Sequence, residues 1–223
     1  MNKITSRPYL GVAIMLGSVW GLSEAALGMG LRSCASLVSG SVMTGVALFF
    51  IAAGWAVTKR FSEVVLLLVI ASLIKMFDAF LLSLPIRHGA VANPIFAFLA
   101  EGAAFLVFVA IIKSTLVQKR SGQAILGGAS ALVAVCLFPL VRFATGIPAC
   151  VYPGSRIPLS LYFAPLAVAL SLFTVPLGFW AGERLRATAA EFEAKNKRRV
   201  LRHLVTPATL VLCLAIVALI RLV

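Results

Sequence analysis

Seven long apolar stretches govern what this chain can become. They run over residues 9–30, 40–58, 63–84, 92–113, 122–144, 159–180 and 205–222, and each is long enough to cross a hydrocarbon core of about 30 Å. No water inside a bilayer satisfies open backbone groups, so each stretch is expected to be an α-helix. The predicted fold is an all-α, polytopic transmembrane helical bundle forming a single domain without internal repeats. Composition agrees, because 61% hydrophobic and 12% charged residues leave too little polar surface for a water-soluble domain of this size.

The formal net charge of +13 would suggest nucleic acid in a soluble protein. Here the bases fall in short clusters between the apolar stretches, a topology signal with no nucleic-acid partner implied. With a cytoplasmic N-terminus, the inner segments hold Lys3, Arg7, Lys59, Arg60, Lys113, Lys119, Arg120, Arg184, Arg186, Lys195, Lys197, Arg198, Arg199 and Arg202. The outer segments then hold only Arg32, Arg87, Arg156 and Arg221. This is a strong positive-inside bias, and it points to a multi-pass protein of a bacterial cytoplasmic (inner) membrane.

Lys3 and Arg7 before an apolar run also resemble a secretory leader, but the run carries Glu24 and no small-residue cleavage site breaks it cleanly. Residues 31–34 faintly resemble a lipoprotein processing site, against which Arg32 and Glu24 both argue. Residues 181–203 mix Glu183, Glu191 and Glu193 with seven bases and are expected to form a cytoplasmic helix, touching anionic membrane lipids or a cytoplasmic partner. Residues 145–158 carry Gly146, Pro148, Pro153, Gly154 and Pro158, so an irregular outer loop is expected there, either a plain connector or a lid. Cys34 and Cys150 both fall on the outer side, where a disulfide between them is one option.

Chemistry is expected from the ionisable residues within the spans: Glu24, Lys75, Asp78, Glu101 and Arg142. Each costs about 2.5 to 3.5 kcal/mol at a helix centre, which places them facing the bundle interior. By depth, all five fall between the midplane and the outer side. Lys75 and Asp78 are three residues apart on one helix face, where they can pair or jointly face a cavity. In the first span Gly17, Gly21, Glu24 and Gly28 form one stripe, with Trp20 beside it; three glycines around an acid let another backbone approach closely. With two bases against three acids, either one acid is protonated or the site favours a cationic or amine-bearing guest. The cluster has a second reading, a network of ion pairs locking helices together.

Enzymatic readings find no support. His88 and His203 fall on opposite sides, no Cys or His spacing suits a metal, and Gly-x-Ser-x-Gly, HExxH and P-loop patterns are missing. No cofactor is implied, and without an ATP site the chain cannot drive ATP-powered transport alone.

The stretch from Gly17 to Gly28 with Trp20 and Glu24, then Lys75 and Asp78, then Asn93-Pro94 with Glu101, is similar to S components, the substrate-capturing membrane subunits of energy-coupling factor transporters. The resemblance covers about residues 9–180 and implies a six-helix core, with the seventh stretch as an added C-terminal helix. It further implies binding of a small micronutrient near the outer face, energised by partner ATPases and a transmembrane coupling subunit. Trp20, Glu24, Lys75, Asp78, Asn93, Glu101 and Arg142 are the expected substrate-binding residues. Ala13, Gly17, Gly21 and Ala25 resemble the first-helix motif by which S components dock on their coupling subunit. The alternatives are a structural or assembly subunit of a larger membrane complex, and an ion- or proton-coupled carrier using the same acids.

Overall fold

The computed structural model describes residues 10–30, 36–146, 150–152, 154–194 and 199–222. Their helices are α1 (Leu10–Gly30), α2 (Ser36–Thr58), α3 (Phe61–Leu81), α4 (Gly89–Ile111), the single turn α5 (Ser114–Val117), α6 (Arg120–Leu137), α7 (Val141–Thr145), α8 (Leu159–Ala194) and α9 (Arg199–Leu222). A 3-10 turn at Phe138–Leu140 joins α6 to α7, so these two act as one spanning segment. Among the described residues seven segments are thus long and apolar enough to span a membrane, and the protein is a multi-pass helical bundle. Its two ends are named inner and outer below after the positive-inside orientation.

Burial is inverted relative to a soluble protein. Large apolar side chains face outward, including Val69, Phe80, Phe143 and Phe173, as a lipid solvent demands. The interior is instead rich in small residues, among them Ala47, Ala52, Ala53, Ala56, Ser18 and Ser41. With no hydrophobic drive between helices in lipid, close backbone approach and van der Waals packing hold such bundles together. The pairing of α2 with α8 illustrates this: Gly178 and Gly182 of α8 lie against the carbonyls of Phe49 and Ala53, where no larger side chain fits.

The same rule corrects the expected docking motif. Gly17 faces the Leu67 carbonyl and Ile70 of α3, and Gly21 faces Ile74. Ala13 and Ala25 are fully buried, and Ala25 packs with Ile74 and with Val217 of α9. The Ala13, Gly17, Gly21, Ala25 face is therefore occupied within the chain by α3 and α9, and it is not open to an external coupling subunit. The seventh span causes part of this closure, lying along α1 and α3.

One further expectation changes in detail. Residues 181–194 are not a separate cytoplasmic helix but the continuation of α8, a 36-residue helix that runs past the inner end of the bundle. Residues 195–198 lie outside the described residues, and α9 begins at Arg199. The described part of the 145–158 loop is irregular as expected: Gly146 takes a left-handed conformation (φ 77°) that ends α7, and Val151 bridges Pro158. Cys34 lies outside the described residues, and so does its suggested pairing with Cys150.

Candidate functional site

At the outer end, five helices diverge around a cavity of about 430 Å³. Glu24 and Gly28 reach it from the last turns of α1, Met43 and Thr44 from α2, and Asn93, Pro94, Phe98 and Glu101 from α4. Phe138 closes it beyond α6, and Ser160 and Phe163 line it from the first turns of α8. The volume lies within the range of ligand pockets, roughly 300 to 1,000 Å³.

Local sequence explains why space opens here. Gly17 and Gly21 clamp α1 to α3 at mid-bundle, but an added side-chain carbon at Gly28 would meet nothing within 4 Å. The glycine stripe thus changes role along one helix, from packing seam to cavity wall, with Glu24 at the change. Across the cavity Pro94 lacks the N–H that would bond the Ala90 carbonyl, loosening the outer end of α4 beside Asn93.

The polar groups of the cavity are incompletely satisfied. Glu101 is 3% exposed; one carboxyl oxygen accepts a hydrogen bond from the Thr44 hydroxyl, and Oε2 has no partner among the described residues. Ser160 Oγ, in a residue 2% exposed, and Asn93 Oδ1 likewise have none. Buried polar groups in native proteins are almost always paired. Three such oxygens lie on the wall of this one cavity.

The structure divides the five expected charges into two groups and removes one. Lys75 Nζ lies 3.3 Å from Asp78 Oδ2. Asp78 is held further by Arg221 of α9, whose Nε donates to Oδ1 and whose Nη2 donates to Oδ2 at 3.0 Å. Arg221 Nη2 also reaches the Ala25 carbonyl at 3.3 Å. Lys75, Asp78 and Arg221 therefore tie α3, α9 and α1 together, and neither Lys75 nor Asp78 lines the cavity as expected. Arg142 is exposed on α7 and belongs to neither group; it sits past the 3-10 turn, which rotates it away from the interior.

Trp20 also differs from expectation. It is fully buried between Phe50, with ring centroids 6.4 Å apart, and Phe98, 4.6 Å away. Because Phe98 carries the cavity surface, Trp20 supports the wall from behind and does not face a ligand. Of the seven expected binding residues, Glu24, Asn93 and Glu101 line the cavity.

Sequence reading missed Thr44, Ser160, Phe98, Phe163 and Arg221. The first four are ordinary residues of apolar helices, and only the tertiary arrangement selects them. Arg221 carried a signal, a lone base inside the last apolar stretch, that depth counting assigned to an outer segment.

Comparison with family models, with curated proteins and with solved structures finds no match. The site's own chemistry therefore carries the functional reading. A second depression, about 500 Å³, lies at the inner end among Trp55, Lys59, Lys113, Phe179 and Glu183. There the Lys59 ammonium sits 5.3 Å from the Phe179 ring centre, and desolvation draws its pKa below the usual lysine value against the pull of Glu183. None of the orphan polar atoms lines it, which makes the outer cavity the better candidate.

Proposed function

We propose that the protein is a substrate-binding subunit of a membrane uptake system, holding a small micronutrient in the outer cavity while partner ATPase and coupling subunits supply the energy. One observation carries this reading: a ligand-sized cavity, open at one end of a membrane bundle, walled by a buried acid with a free oxygen. A bilayer makes such a group costly, and a ligand that pairs with it repays the cost in binding energy. The expected location is a bacterial inner membrane, with the cavity facing outward.

The structural-subunit alternative draws on the Lys75, Asp78 and Arg221 group, which has the form of an interhelical lock. That group pairs Asp78 with two bases within the chain and leaves the cavity unexplained, so the binding reading takes precedence.

Uptake of labelled vitamins and related micronutrients, measured in cells with and without the gene, tests the proposal. Uptake of one compound should require the chain, require ATP, and fall at least tenfold in the Glu101→Gln variant at equal membrane abundance. Equal uptake of every compound with and without the chain refutes it.

A further inference from the structure

The lining of the outer cavity restricts the chemical class of its occupant. Glu24 and Glu101 both contribute carboxyls to the wall, and among the described residues no Lys, Arg or His lines it. Two bases belong to the interhelical lock: Arg221 bonds Asp78 and the Ala25 carbonyl, and Lys75 bonds Asp78 while within electrostatic range of Glu24. Glu101 has Glu24 as a charged neighbour.

Unpartnered atoms on the wall are oxygens. Glu101 Oε2 and Ser160 Oγ, in residues 3% and 2% exposed, can both accept hydrogen bonds from the occupant. A bound anion would meet two carboxyls, and a neutral occupant would form no ion pair with Glu101. A bare metal ion would fill little of about 430 Å³, and among the described residues no three His, Cys, Asp or Glu side chains gather to hold one. Phe98, Phe138 and Phe163 supply apolar walls and aromatic faces that attract cations.

We propose that the cavity selects a small organic cation, an amine or quaternary ammonium on an apolar body, with its charged end between Glu24 and Glu101 and its body against the phenylalanines. This rests on the cavity being the ligand site.

The test uses the purified full chain and matched series of arylalkyl amines, trimethylammoniums, alcohols and carboxylates, with sodium and potassium alone as further probes. Binding is measured by calorimetry and by the ligand-induced rise in melting temperature. Amines or trimethylammoniums are expected to bind at least tenfold more tightly than the matched alcohols, with no carboxylate binding. Glu101→Gln should erase that preference while leaving any alcohol binding in place. Glu24→Gln and Ser160→Ala, checked for folding by gel filtration and circular dichroism, provide independent variants should Glu101→Gln fold poorly. Preferential binding of alcohols or carboxylates overturns the cation inference and leaves the ligand site standing. Binding of the metal ions alone overturns it in favour of an inorganic ion site. If no probe of any series binds, both this inference and the ligand-site reading fail.

Discussion

Arg221→Leu isolates what holds the seventh helix. Only 11% of the α9 span is buried, and the Arg221 guanidinium ties that span to α3 and α1. That side chain is 6% exposed and gives Asp78, itself 3% exposed, two hydrogen bonds. Removing one partner of a buried ion pair costs about 3 to 5 kcal/mol, because the other charge is stranded. Lys75, 3.3 Å from Asp78, still offsets part of that charge, which places the expected loss at the low end, about 3 kcal/mol. Adding Asp78→Asn removes that charge but strands Lys75 in turn, so the double variant should lose less than the sum of the two single losses and show strong coupling in a double-mutant cycle. Equilibrium unfolding in mixed micelles measures both. A second readout is Cys213 on α9, 3% exposed; in a background with the other cysteines changed to serine, its maleimide labelling should accelerate in Arg221→Leu. A loss below about 1 kcal/mol, additive single effects and unchanged Cys213 labelling together would refute the lock.

Gly17→Ala would bring a methyl 2.8 Å from the Leu67 carbonyl oxygen, and Gly21→Ala one 2.7 Å from Ile74 Cβ; each should lower unfolding stability by about 1 to 3 kcal/mol, and unchanged stability would mean that α3 does not lie on this seam. Ser83 holds a left-handed φ of 51° in an exposed turn after α3, so Ser83→Gly should stabilise the chain by roughly 1 kcal/mol, seen as a raised melting temperature. A reporter fused after Lys119 should read cytoplasmic and one inserted at Gly154 external; the opposite pattern would turn the cavity toward the cytoplasm.

The membrane class, the seven helices and their approximate limits were legible in the sequence, because hydrocarbon thickness and backbone hydrogen bonding act on each stretch alone. The interior placement of Glu24, Lys75, Asp78 and Glu101 was legible for the same reason: each is too costly to face lipid. Partnership was not legible. Nothing in spacing says that Asp78 pairs with a base 143 positions away, or that Arg142 turns outward after a break in its helix. The stripe through Gly17, Gly21, Glu24 and Gly28 reads as one surface, yet it is half packing seam and half cavity wall. That difference comes from where α3 leaves α1 and where α4 and α8 approach. Sequence sets what each helix must bury, and only the packed bundle decides whether a buried group meets a neighbouring helix or an open space.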